Sequence, residues 1–446
     1  MKFQLPSPYH TQSNKCEFGV KPYLELIRLI KDIGSLSKTE IALFFLQLIH
    51  VNKYNLIVGK IKRFQDEISQ HKGNRKEFIN TYFEREICEI FDDEIRSCDF
   101  KTRESTERSF KKFVRTKMAN MRDYADAFVR YIRASELVTF QKRTLRLIVS
   151  PQKREEVDFI LTNIDRTPKT FADIKEFKEY LFTPYSTPLL SDNKSLLIEK
   201  LQRAGVNQID AGYSIDKLKD MLDDVHHQIQ YKNIENSKRE LKEYKEIDDI
   251  LNVFEKVKNR DVPDASLFLE WNVWRSFVML NYARRVDGNF VTDVDGMPLN
   301  TAQGNKPDIE IEFDDFGLIA EVTLSSGATQ FKMEGDSVPR HYGDFLQKLK
   351  KTSYCLFIAP QIDDGTKAFF FNLNKGYTKR YGGATRIIPM TLDLFIEFIT
   401  VAKKYNFSNP SKLRQWLERL WLINQTVEDE SAWNRYIEEE IKIWAA

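Results

Sequence analysis

Lys306-Pro307-Asp308-Ile309-Glu310-Ile311-Glu312-Phe313, Asp314-Asp315-Phe316-Gly317 and Leu318-Ile319-Ala320-Glu321-Val322-Thr323-Leu324 follow one another without interruption. Two alternating apolar and polar runs joined by an Asp- and Gly-rich turn have the pattern of a β-hairpin. A loop at 314 to 317 sets Phe313 opposite Leu318, Glu310 opposite Glu321 and Asp308 opposite Thr323. Strand alternation then gives Asp308, Glu310, Glu321 and Thr323 one face, and Ile309, Ile311, Ala320 and Val322 the other. Opposed like charges destabilise a sheet unless something neutralises them, and a divalent cation held by oxygens is the usual neutraliser. On spacing alone, a solvated polar face is the simpler account.

The rest of the chain bears on that choice. Its 446 residues suggest about three domains, and 42% hydrophobic with 13% aromatic residues fits globular rather than disordered segments. The net charge of +2 conceals an asymmetry. Between Phe100 and Glu156, fifteen Lys and Arg stand against seven Asp and Glu, a local field that attracts polyanions. Neither a long apolar run nor a signal-peptide core is present, so the expectation is a cytoplasmic protein without a membrane partner. Cys16, Cys88, Cys98 and Cys355 show no ligand spacing and read as free thiols.

Residues 23–33 and 39–49 are helical patterns separated by Gly34-Ser35-Leu36-Ser37, with Ser37 and Glu40 in capping-box spacing. That suggests a helix-turn-helix or winged-helix-like unit over about 1–75. A second such unit, about 76–180, has a basic helix from Arg108 to Ile132 and a ribbon, Leu137–Phe140 and Leu145–Val149, around Gln141-Lys142-Arg143-Thr144. Lys111, Lys112, Arg115, Lys117 and Arg122 on the helix, with Lys142 and Arg143 on the wing, make a candidate footprint for duplex DNA. Pro184-Tyr185-Ser186-Thr187-Pro188 marks a break. Residues 181–250 read as a helical linker, and 251–446 as a catalytic half.

In that half a broadly apolar helix, 265–283, contains Glu270, which either pairs with Arg275 or Arg284 or faces a site. After the hairpin come the segment 331–341, a helix from Tyr342, the apolar strand Tyr354–Ala359, Ile387-Ile388-Pro389 and a helix from Leu392. This order is α/β with a mixed sheet. A helical tail rich in Trp packs back on it.

Pro307-Asp308, a spacer of twelve residues and Glu321-Val322-Thr323, in this order of elements, resemble the PD-(D/E)xK nuclease core, with Thr323 in place of the usual Lys. The EVT variant after a PDIEI strand, Glu270 upstream, and Glu334 and His341 downstream resemble the AlwI-like type IIS restriction endonucleases and their nicking relatives. The resemblance implies a multidomain protein: a mainly α-helical, winged-helix-like DNA-recognition half and a C-terminal α/β nuclease domain. It implies Mg²⁺ held by Asp308, Glu321 and the Val322 carbonyl, with Glu270 and Glu334 serving a second ion or orienting water. Thr323 shifts water activation towards the metal or His341, which either orients water or contacts phosphate, or else simply caps and packs. The implied activity is cleavage of double-stranded DNA outside a short asymmetric site. One centre cuts one strand, so the product is a nick unless a transient homodimer or a small catalytic subunit supplies a second centre. A non-catalytic DNA-binding or regulatory protein is the alternative.

Overall fold

The structure, a computed structural model, describes residues 19–168, 171–183, 189–210, 212–241, 246–293, 295–301 and 304–445. Cys16 and the 184–188 break lie outside the described residues. Contacts divide the chain into two compact units, 1–229 and 230–446. The sequence pattern instead set a linker at 181–250.

In the first unit, α1 (Pro22–Ile33) starts on its proline and buries Leu24, Leu26, Ile27, Leu29 and Ile30. Gly34, at φ +92°, ends it. In α2 (Lys38–Leu43), the Glu40 N–H donates to Ser37 Oγ and the Ser37 N–H to Glu40 Oε2, so the capping box forms. Then follow α3 (Tyr54–Gln70), α4 (Arg75–Ile90), α5 (Asp92–Arg96) and the 24-residue α6 (Phe110–Arg133). Strands β1 (Val138–Phe140) and β2 (Leu147–Val149) pair antiparallel.

Leu36, in the turn between α1 and α2, pairs with Leu147 through hydrogen bonds of 2.9 and 2.7 Å. Arg146 reinforces the join by donating to Ser35 and to the buried Glu40 carboxylate. The helical pair and the ribbon, which the sequence distributes over two units, therefore share backbone pairing. The signal was a single extended leucine between two helix caps, too short to read as a strand. Helices α7 (Arg154–Asn163), α8 (Ile174–Phe182) and α9 (Lys194–Arg203) follow, then α10 (Ile215–Leu241), which contains the unit boundary. Leu197, Leu201 and Leu218 form a small core, and Lys200 and Arg203 of α9 pair with Glu156 and Glu155 of α7, so the early part of the expected linker packs within the first unit.

The second unit begins with α11 (Ile247–Lys258) and α12 (Ala265–Leu280), the latter buried from Leu267 to Leu280. Strands β3 (Arg285–Gly288), β4 (Val291–Thr292), β5 (Pro298–Asn300), β6 (Ile309–Glu312) and β7 (Phe316–Val322) precede α13 (Gly327–Leu349) and β8 (Thr352–Ala359). The chain continues through α14 (Asp364–Lys375), β9 (Tyr377–Thr378), β10 (Gly383–Ala384), β11 (Ile387–Thr391), α15 (Leu392–Lys404), α16 (Pro410–Thr426) and α17 (Glu430–Glu440). The main sheet runs β11-β8-β7-β6-β3. It is antiparallel from β3 to β7 and parallel from β7 to β11. The near-continuous apolar runs of β7 and β8 suit central strands covered on both faces. Pro389 lies on edge strand β11, where a missing N–H is tolerated. Trp416, Trp433 and Trp444 are buried in the tail, with Trp444 stacked 4.4 Å from Phe398.

Two expectations are corrected. The hairpin pairs Ile309 with Ala320, Glu310 with Ile319 and Ile311 with Leu318, two residues away from the anticipated register. Phe313 and Phe316 stack with centroids 4.2 Å apart, and the Phe313 N–H donates to the Phe316 carbonyl. This leaves Asp314-Asp315 as the loop and draws Phe316 and Gly317 into the strand. A Cβ at Gly317 would lie 2.4 Å from Leu349. An even shift keeps both faces and changes the partners: by continuation, Asp308 falls opposite Glu321. Second, 331–349 belongs to one helix. Pro339 is accommodated inside α13, with Gly335 one turn before it.

Candidate active site

Asp308 immediately precedes β6, and Glu321 is the penultimate residue of β7. The Val322 N–H donates to Asp308 Oδ2 at 2.7 Å, so the first carboxylate is tied to the strand carrying the second. Glu321 Oε1 lies 2.9 Å from His341 Nδ1, across the gap between sheet and α13. His341 is buried, and its Nε2 has no hydrogen-bond partner among the described residues. Glu334 lies on the same helix two turns earlier and accepts from Ser337.

Burial pushes the Asp308 carboxyl well above its ordinary range, and the charges of Glu321 and Glu334 add to the rise. The Val322 N–H opposes it. Burial likewise raises Glu321, helped by the charges of Glu334 and Glu270 and opposed by Arg340. The charges of acids from two helices thus reach the hairpin pair: Glu270 from α12 acts on Glu321, and Glu334 from α13 acts on both Asp308 and Glu321. Burial lowers His341, with the Arg340 charge contributing.

Other expectations resolve differently. Arg275 bonds to Asp249 at 2.6 Å and to Asn272 at 3.1 Å. Glu310 faces Ile319 rather than Glu321 and pairs with Lys348 at 2.9 Å and Arg285 at 3.6 Å. Thr323 Oγ1 accepts from the Ser325 N–H at 3.1 Å, which shapes the chain leaving β7. Gln330 was not singled out from the sequence. It is fully buried, donates to the Ser325 and Gln361 carbonyls, and accepts from the Asp363 N–H. Arg340 was missed as well, since nothing in a basic residue beside Pro339 marks it.

On α6, Lys111 and Arg115 are exposed one turn apart, and Lys112 is half-buried. Lys117 lies 4.2 Å above the Phe91 ring, and Arg122 lies over Phe83 and donates to Asn80. The last two are thus held against the unit's own side chains. Lys142 and Arg143 stand at the ribbon tip, between β1 and β2.

The AlwI restriction endonuclease family matches residues 1–398. This chain belongs to that family. The AlwI-family chain is also similar to the small subunit of the heterodimeric restriction endonuclease R.BspD6I. The two are 30% identical over 43% of this chain and 98% of that one, with a TM-score of 0.38. A search of curated proteins gives no match. Membership makes this chain a restriction nuclease.

The carboxylates suit the divalent metal common in such families. Asp308 and Glu321 supply hard oxygen donors, and their mutual repulsion is the kind a cation relieves. The orphaned His341 Nε2 is a polar atom waiting for a partner at the same place. Among the described residues, no three or more His, Cys, Asp or Glu are gathered in ligand geometry. Among the described residues, no helix is long and apolar enough to cross a membrane.

Proposed function

We propose that the chain is a Mg²⁺-dependent endonuclease of the type IIS kind. Its first unit binds a short asymmetric duplex site, and its second unit hydrolyses a phosphodiester outside that site. The observation that carries this reading is the Asp308–Glu321 pair, just before β6 and near the end of β7, with Glu321 against His341.

Asp308, Glu321 and the Val322 carbonyl would hold the ion. When bound, Mg²⁺ supplies charge stabilisation at phosphate oxygens and a water of lowered pKa. Glu270 and Glu334 adjust the field around the pair, and His341 holds the attacking water through Nε2. The second unit is read as the PD-(D/E)xK core. In the first unit, α1, the Leu36 pairing, α2, α6 and the β1–β2 ribbon have the order of one winged helix, with α3 to α5 inserted. Lys111, Lys112, Arg115, Lys142 and Arg143 supply its phosphate contacts.

One such centre cuts one strand. A double-strand break needs self-association or a small partner subunit, an arrangement whose chemistry is in keeping with the heterodimeric relative.

Plasmid incubated with the intact chain and Mg²⁺ tests the reading. Discrete nicked or linear products that vanish in Asp308→Ala and Glu321→Ala support it. Cleavage that persists unchanged in both variants overturns the site. Specific DNA binding without any cleavage would instead favour a regulatory protein on a nuclease-like fold, the reading that Thr323 motivates.

A further inference from the structure

We propose that Arg340 is the phosphate-facing cation of this centre, acting on the scissile phosphate where a lysine at 323 would otherwise act. This rests on the carboxylate site proposed above.

Three observations place Arg340 there. Thr323 carries no charge, and its hydroxyl is engaged by the Ser325 N–H, so the strand end that normally bears an ammonium shapes a turn instead. Arg340 Nη1 donates to Asn305 Oδ1 at 3.2 Å, three residues before Asp308. Its backbone is adjacent to His341, whose ring meets Glu321. The guanidinium is thus anchored to the segment entering β6 from the same helix turn that carries His341. Its Nε lies 3.8 Å from Asp336, beyond good hydrogen-bond range, which keeps donors to spare on a side chain still 32% exposed. The influence of Arg340 on both Glu321 and His341 is consistent with that location.

The chemistry is charge stabilisation, with no proton transfer by Arg340. A water oxygen bonds to phosphorus as the P–O3′ bond breaks, the water's proton passes to His341 Nε2 and on to solvent, and the departing 3′ oxygen takes a proton from solvent to become the 3′ hydroxyl. Negative charge on the non-bridging oxygens grows along this path, and a planar, permanently protonated guanidinium matches them.

The test measures single-turnover plasmid cleavage in Mg²⁺ and, separately, thermal melting and fluorescence-anisotropy binding of site DNA in EDTA. R340Q is expected to slow cleavage by about 10²- to 10³-fold, as loss of one oxyanion donor does, to weaken binding in EDTA by no more than the loss of one phosphate contact, and to leave the melt unchanged. R340K should retain part of the rate, and T323K added to R340Q should recover part of it.

Wild-type cleavage by R340Q overturns the proposal. So does a joint loss of rate, binding and melt that neither R340K nor T323K relieves, because that is a structural role. D308N separates the two levels. If D308N is dead while R340Q cuts normally, only the Arg340 assignment fails; if both cut normally, the carboxylate site fails with it.

Discussion

Glu321 Oε1 and His341 Nδ1 lie 2.9 Å apart, joining the sheet to α13, and the other nitrogen of the ring is buried without a partner among the described residues. Burial holds His341 below its usual pKa, which favours the neutral ring. A neutral imidazole fixed at Nδ1 presents Nε2 in a set direction, as a proton acceptor or a water-orienting group needs.

His341→Gln should therefore slow cleavage by about 10²-fold or more, within the range for loss of a general acid or base, while the fold melts near the wild-type temperature. The acid limb of the wild-type rate that reports His341 should fall below pH 6.5, the ordinary imidazole value. A variant as fast as wild type would reduce His341 to packing.

The acid pair makes a stability prediction of definite sign. Asp308 and Glu321 titrate above their ordinary values when folded, chiefly through burial. Their favourable contribution is fully present below the unfolded carboxyl values of about 4 and is lost as pH rises through the folded values. In EDTA, Asp308→Asn or Glu321→Gln should thus raise the melting temperature at neutral pH, with a smaller gain near pH 5. Mg²⁺ should raise the melt of the wild type more than that of either variant. Equal responses to Mg²⁺ would place the ion elsewhere.

The alternation at 308–324 was enough to read the hairpin, its two faces and both central acids, because a period of two survives an error of two in register. The register was not legible. It depends on the Phe313–Phe316 stack and on Leu349 closing over Gly317, contacts between a turn and a distant helix. Leu36 posed the converse problem, since one residue gives no periodicity and its pairing with Leu147 spans more than a hundred positions. Gln330 and Arg340 carry no local signature because their meaning lies in which loops they reach.

Helix α6 contains basic residues with different environments. Lys111 and Arg115 are exposed, whereas Lys117 and Arg122 rest on Phe91 and Phe83. Replacing Lys111 or Arg115 by Ala should weaken DNA binding and reduce the slope of log K against log salt by about 0.9 for each phosphate left without its cation. Lys117→Ala and Arg122→Ala should instead cost about 0.5–1 kcal/mol of stability by removing a cation–π interaction. Titrations at several salt concentrations, with denaturant melts of the same proteins, decide the matter; unchanged slopes for Lys111→Ala and Arg115→Ala would remove α6 from the DNA interface.

Gly343 tests whether α13 must sit where it does for the site to work. A Cβ there would fall 2.8 Å from the carbonyl carbon and oxygen of Tyr381. These are backbone atoms, unable to rotate away as a side chain would, so helix or loop must move. Gly343 lies two residues after His341 and three after Arg340, so the displacement reaches both. Gly343→Ala should cost about 1–3 kcal/mol through overpacking and slow cleavage by as much as 10²-fold, the scale of a misplacement near 1 Å. Gly335→Ala is the internal comparison. Its Cβ would meet Phe331 at an ordinary 3.6 Å, and alanine favours the helix by about 0.5–1 kcal/mol. The melt should therefore rise for Gly335→Ala and fall for Gly343→Ala, with the rate falling only in the latter. A Gly343→Ala protein that melts and cuts like wild type would show that the helix has slack against the 379–382 loop.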